Sequence, residues 1–171
     1  RENQAIIDFL DRTTNPFVLL LVGVGFTALV QSSSAVTSLI IVMAGEGLII
    51  GGAGTNAVLF LVLGSNIGTC ITAILSSIGA STNAKRASLI HLMFNVFGTV
   101  IFTVFLLVWP GFMSATLAKW FPDAGRQIAM FHTFFNVVCT LIFLPFTRVF
   151  VKIATKLIRD KKVPEGKSVE E

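Results

Sequence analysis

Apolar residues fill this chain in long runs, and the polar residues that interrupt them fall into a few tight clusters. The first run, Pro16–Val30, ends at Gln31-Ser32-Ser33-Ser34, and a second apolar run occupies 35–45. As helices these arms rise roughly 22 Å and roughly 16 Å, each short of a hydrocarbon core about 30 Å thick. Four polar side chains inside such a run must line something buried or wet. The pattern predicts a re-entrant helical hairpin over 16–50 with the serines at its tip; one long tilted helix is the other reading. Asn15-Pro16 opens the first arm, since proline suits a helix start. Residues 1–14 carry Ile6, Ile7, Phe9 and Leu10 among polar neighbours and predict an amphipathic interfacial segment.

The next apolar segment, 55–79, is interrupted in its middle by Gly64-Ser65-Asn66-Ile67-Gly68-Thr69. Two glycines flanking Ser and Asn predict a broken helix, unwound at the midplane and facing a cavity. Hairpin tip and helix break then meet at similar depth. Continuous spans are predicted over 85–109 and 127–151, joined by a loop with Pro110, Gly111, Pro122, Asp123 and Gly125. The transport repeat therefore covers 15–151, followed by a basic tail over 152–171.

The two continuous spans share a pattern. His91-x-x-Phe94-Asn95-Val96-x-x-Thr99-x-Ile101-Phe102 recurs 41 residues on, from His132 through Asn136 and Thr140 to Phe143. In each span His, Asn and Thr sit at i, i+4 and i+8, so they form a polar stripe on one helix face. Hydrogen bonding between helices is its expected role, with a direct solute or proton role as the alternative.

Composition fixes the class. Apolar residues make up 54% and charged ones 13%, with a mean hydropathy of +0.83. Residues 13–45, 47–84, 87–118 and 127–147 contain no Asp, Glu, Lys or Arg, and each stretch exceeds the roughly 20 residues a helical span needs. An all-α, polytopic membrane protein follows. The net charge of +4 sits beside the spans and forms no nucleic-acid face. Lys85, Arg86 and the basic tail fall on one side, Lys119 and Arg126 on the other, which predicts a cytoplasmic carboxyl terminus in the cell membrane. A start at Arg1 with no signal-like core predicts a segment of a longer chain. Cys70 and Cys139 read as small apolar fillers.

Enzyme chemistry finds little support. No G-x-S-x-G surrounds the serines and no acid in the spans could orient a histidine. Gly52-x-Gly54-x-x-Ala57 lacks the strand and the downstream acid of a dinucleotide site, and no Cys/His cluster has metal-ligand spacing. Ion binding is better served. Helix starts near 34–37 and 69–72 would offer backbone N–H groups to an anion. Arms ending at Val30 and Leu63 would offer carbonyls to a cation, with Gln31, Thr37, Asn66 and Thr72 as neutral oxygens for an ion such as sodium. No Lys or Arg lies near either break, so a buried multivalent anion needs co-bound cations. That argues for coupled uptake.

Residues 27–35, Thr-Ala-Leu-Val-Gln-Ser-Ser-Ser-Ala, followed by Gly64–Thr69, by Ala84-Lys85-Arg86-Ala87 through His91-Leu92-Met93-Phe94-Asn95, and by Phe131-His132-Thr133, resemble the type II sodium/phosphate cotransporters and their bacterial relatives. The likeness covers about 15–156. It implies two inverted repeats with phosphate between paired QSSS tips, sodium nearby, and this chain as the carboxyl-terminal repeat. The resemblance implies that Gln31, Ser32, Ser33 and Ser34 contact phosphate or sodium and that Asn66, Gly68 and Thr69 complete the site. With the neutral oxygens named above, phosphate is expected at Gln31, Ser32, Ser33, Ser34, Gly68 and Thr69, and sodium at Gln31, Ser33, Thr37, Asn66, Thr69 and Thr72. No cofactor is implied beyond sodium as coupling ion. The implied partners are the bilayer and the amino-terminal repeat of the same parent chain, and a side-by-side homodimer stays open. Two departures stand out: a single QSSS, and Cys70 where a second threonine is usual. A sodium-coupled carrier for another oxyanion or a small carboxylate, or a non-transporting assembly module, are the alternatives.

Overall fold

The computed structural model describes residues 15–46 and 55–160, and every regular element among them is helical. The expected amphipathic segment over 1–14, the end of the expected hairpin at 47–50 and most of the expected tail lie outside the described residues. The elements are α1 (Pro16–Val30), α2 (Ser33–Gly45), α3 (Ala57–Ser77), α4 (Thr82–Val108), α5 (Ala124–Phe143) and α6 (Thr147–Leu157). A π-helical turn, Met113–Leu117, continued by the single turn Ala118–Trp120, joins α4 to α5. By length and apolar composition, three stretches can cross a membrane: α3, α4, and Ala124–Leu157 taken together.

Side chains at each start set the helix boundaries. Asn15 Oδ1 accepts from the N–H groups of Phe17 and Val18 at 3.0 and 3.2 Å, with Pro16 in the first turn. Ser32 Oγ caps α2 through Ala35 N–H at 3.2 Å, Ser81 Oγ caps α4 through Ala84 N–H, and Asp123 Oδ1 caps α5 through Arg126 N–H at 2.8 Å. Between α1 and α2, Gln31 takes the left-handed conformation, φ 59°. That conformation ends the first helix and frees the chain to turn.

The chain reverses at that point. Leu20 lies against Gly64, Val24 against Gly68 and Gln31 against Thr72, so α1 runs parallel to α3. Ile41, by contrast, lies against Gly125 at the start of α5, while Ser33 shares a cavity with His132 and Asn136 further along it. Thus α2 runs antiparallel to α5 and heads back toward the end of the bundle from which α1 sets out.

The expected unwinding at Gly64–Thr69 does not occur. α3 is a continuous helix of 21 residues through that stretch. Its glycines serve packing. A Cβ at Gly64 would lie 2.0 Å from the Leu20 carbonyl oxygen, and one at Gly68 would lie 2.6 Å from that of Val24 and 2.7 Å from Thr27 Cβ. Across the crossing, a Cβ at Gly23 would lie 2.2 Å from the Leu61 carbonyl oxygen. Gly64 and Gly68 are four residues apart on one helix face, the spacing by which small residues let two membrane helices touch backbone to backbone.

The expected span over 127–151 lies within the membrane-length stretch Ala124–Leu157, but that stretch is not one regular α-helix. α5 stops at Phe143 because Pro145 has no N–H to give the preceding turn and its ring crowds that turn. A 3₁₀ turn, Leu144–Phe146, then leads into α6, so the expected tail boundary at 152 falls inside a helix. At the same end of the bundle Arg86 holds the chain after α6, donating to Ile158 O at 3.0 Å and pairing with Asp160 at 3.1 Å. This places Lys85 and Arg86 at the same end as residues 158–160.

At the opposite end Asn56 joins three segments. Its Nδ2 donates to the carbonyls of Leu106 (3.1 Å) and Trp109 (2.7 Å), and its Oδ1 accepts from Met113 N–H at 3.0 Å. Pro110 stands where the helix would otherwise supply the N–H that Leu106 O needs, so Asn56 replaces a bond proline cannot make. Asn56→Ala orphans these buried groups. A loss of about 3 kcal/mol is expected, at roughly 1–3 kcal/mol per unsatisfied group, read as a clear drop in the melting temperature of the detergent-purified chain.

Candidate functional site

A cavity of about 200 Å³ opens where α2, α3, α4 and α5 meet. Ser33, Asn66, Thr69, His91, Phe94, Asn95, His132 and Asn136 line it. At roughly 30 Å³ per water it has the room of about six waters, enough for a five-atom oxyanion with some solvent. Every lining residue but Phe94 has a polar side chain, and none is Asp, Glu, Lys or Arg.

Each wall is built by helix periodicity. Ser33 is the first residue of α2, placed there because Ser32 spends its hydroxyl on the cap and its carbonyl on Val36 N–H. The N–H groups of Ser33 and Ser34 are therefore the unspent donors of that helix start, at its positive end. Asn66 and Thr69 lie one turn apart on α3. Thr69 Oγ1 donates to Ser65 O at 3.0 Å and keeps its lone pairs for a ligand. Asn66 Nδ2 donates to Val62 O at 3.1 Å, which leaves Oδ1 facing His132 Nε2 at 3.1 Å. On that network His132 is the donor, with its proton on Nε2.

The duplicated motif converges here. His91 and Asn95 from α4 and His132 and Asn136 from α5 all reach the cavity. The two asparagines make matching bonds: Asn95 Nδ2 to His91 O at 3.0 Å, Asn136 Nδ2 to His132 O at 2.8 Å. Both donors turn back on their own helix, which differs from the interhelical bonding expected. Cross-helix bonds come instead from His132 to Asn66 and from Thr99 Oγ1 to Leu63 O at 3.3 Å.

Not every expected site residue joins this group. Gln31 is exposed at the turn, and its carbonyl accepts from Thr72 Oγ1 at 3.4 Å, so these two tie the turn to α3. Ser34 is exposed and does not line the cavity. Thr37 lies outside it too, buried, with an Oγ1 that has no partner among the described residues; Thr27 Oγ1 is in the same state. Gly68 faces α1 with no room for even a methyl group, so it presents no open backbone to a ligand. Because α3 is unbroken, the expected free N–H groups at 69–72 and the free carbonyl at Leu63 are absorbed by the helix and by Thr99. Thr99 is buried on α4, facing α3, and Thr140 is exposed, its hydroxyl on Asn136 O at 2.8 Å. Phe94 lines the cavity without having been expected there; its place one residue before Asn95 in the duplicated motif is the signal.

Comparison with known proteins bears on this arrangement. Residues 3–135 match the family model described as Na+/Pi-cotransporter. The uncharacterized protein YqeW of Bacillus subtilis (strain 168) is 37% identical over 142 residues, covering 83% of this chain and 44% of YqeW. YjbB of Escherichia coli (strain K12), whose name assigns it provisionally to inorganic phosphate export, is 27% identical over 159 residues, covering 93% of this chain and 28% of YjbB. Human sodium-dependent phosphate transport protein 2B is 40% identical over 89 residues, which is 50% of this chain and 12% of that protein. The chain thus spans less than half the length of each of these relatives. No solved structure matches it at a significant level. With the family model covering most of its length, and with the Gln31–Ser34 turn and the Asn66 helix meeting at one polar cavity, the chain belongs to the Na+/Pi-cotransporter family.

Proposed function

We propose that this chain is one repeat of a secondary carrier that moves inorganic phosphate together with sodium, and that solute sits in the cavity beneath the Gln31–Ser34 turn. The observation that carries this reading is the meeting of Ser33 with Asn66, Thr69 and the two His–Asn pairs around one cavity that has no Asp, Glu, Lys or Arg in its lining. The start of α2 supplies N–H donors and a positive dipole end for the anion. Thr69 and Asn136 offer neutral oxygens to sodium. Without a fixed basic side chain, the cations neutralise the anion they travel with.

In the bilayer α1 and α2 form the re-entrant hairpin, since both arms begin or end at one end of the bundle. An amino-terminal repeat of the parent chain, inverted in the membrane, completes the site from the exposed side of Gln31 and Ser34. The end carrying Lys85 and Arg86 faces the cytoplasm, and access alternates as one repeat rocks against the other.

Labelled phosphate uptake into proteoliposomes holding the intact parent protein tests this. Uptake is expected with a sodium gradient and not with potassium, competed by arsenate and not by dicarboxylates. Competition by dicarboxylates would transfer the site to a carboxylate carrier. Absence of sodium-dependent uptake would overturn the reading.

A further inference from the structure

The sequence of α6, Thr-Arg-Val-Phe-Val-Lys-Ile-Ala-Thr-Lys-Leu, divides around the helix into three stripes. Phe150 and Ala154 are buried, with the Phe150 ring 6.0 Å from that of Phe97 on α4 and 5.5 Å from that of Phe143. Beside them Val149, Ile153 and Leu157 form an apolar stripe that is 52%, 36% and 66% exposed. Next around the helix come Arg148, Lys152 and Lys156, all exposed, spaced four residues apart over about 12 Å of helix. None of the three has an acidic partner among the described residues. Asp160 is held by Arg86, Asp123 caps α5, and Glu46 terminates α2.

We propose that α6 is a lipid-reading element whose basic stripe binds the anionic headgroups of the leaflet at the Lys85–Arg86 end. The order of the stripes carries this. One face is fixed to α4, the adjoining apolar stripe can enter the acyl boundary, and the basic stripe then lies at headgroup level, as in helices that rest in a membrane interface. Charge complementarity names the occupant: an exposed cationic row, without an acidic partner among the described residues, beside an apolar one fits phosphatidylglycerol-type lipids and gains nothing from zwitterionic ones. Arg86, bonded to Asn83 Oδ1 at 3.1 Å and Ile158 O at 3.0 Å, fastens the end of α6 to the α3–α4 turn, so lipid held there touches the bundle itself. The inference does not depend on which solute the cavity takes.

The test uses the full chain purified from an equal mixture of phosphatidylglycerol and phosphatidylcholine, with native mass spectrometry reading the lipids that stay bound. Each basic side chain near an anionic surface contributes about fivefold, so retention of phosphatidylglycerol at least about tenfold over phosphatidylcholine is expected. The triple variant R148Q/K152Q/K156Q should fall to the bulk ratio, while K119Q/R126Q, altered at the other end, keeps the enrichment. Acetylation of Lys152 and Lys156 in the unaltered protein gives a second readout. Protection is expected in vesicles of phosphatidylglycerol and absent in vesicles of phosphatidylcholine alone. Equal retention by the wild type and triple variant, or protection independent of lipid charge in the intact parent protein, would overturn the proposal; the latter would mark α6 as a protein contact.

Discussion

Gly64→Ala is expected to destabilise the chain severely, on the order of 4 kcal/mol or more, although alanine is the better helix former by about 1 kcal/mol. The added methyl carbon would lie 2.0 Å from the Leu20 carbonyl oxygen and 3.0 Å from Val24 N. Both neighbours are backbone atoms of α1, so no side chain can swing aside. The two helices must separate, and separation opens the longest contact in the bundle, from Leu20 and Gly23 to Thr72. Leu59, Leu63 and Leu19 are fully buried along it and would lose their packing together. Gly25→Ala is the matched control. Its Cβ meets nothing within 4 Å, so the substitution is expected to be neutral or slightly stabilising. Heating the detergent-purified proteins and following the monodisperse fraction reads both. Equal melting temperatures for Gly64→Ala and wild type would mean that α1 and α3 do not touch through their backbones.

The same glycines show where sequence legibility ended. Gly64-Ser65-Asn66-Ile67-Gly68-Thr69 is rich in residues that favour turns, and a break is one physical use of such a stretch. Close helix contact is the other, and both need glycine. What separates them is the partner, and Gly23 lies 41 positions earlier in a run that by itself looks like ordinary apolar helix. The Gly64–Gly68 spacing of one helical turn was the local sign of packing. The His–Asn stripes were legible because they depend only on helix periodicity, and four of their six members reach the cavity. Which way each asparagine turns its donor was not, since that follows from distances of about 3 Å between groups free to bond either way. The end of α5 and the onset of α6 were written in Pro145 and in the spacing of Arg148, Lys152 and Lys156, but an apolar count across that stretch hides both. The polar cluster Gln31–Ser34 marked the place of the turn, but one long tilted helix stayed open as the other reading until the left-handed Gln31 decided between them.

Ser33→Ala in the intact parent protein is expected to weaken phosphate binding about 10- to 100-fold, the range for a hydrogen bond of roughly 1.5–3 kcal/mol to a charged group. Ser33 is the one member of the serine cluster that lines the cavity. Its hydroxyl has no bond to make elsewhere among the described residues, and its N–H belongs to the unspent start of α2. Removing Oγ leaves that N–H, the Ser32 cap and the turn at Gln31 untouched, so folding and membrane abundance should hold. Thr140→Ala removes a hydroxyl of similar size that is exposed and bonded back to Asn136 O, and phosphate uptake should be unchanged by it. The concentration dependence of uptake separates the roles. A binding role raises the half-saturating phosphate concentration, whereas a purely structural role lowers the amount of protein in the membrane and leaves that concentration alone. A normal half-saturation for Ser33→Ala, at normal abundance, would remove the start of α2 from the solute site and with it the helix dipole on which anion recognition at this cavity rests.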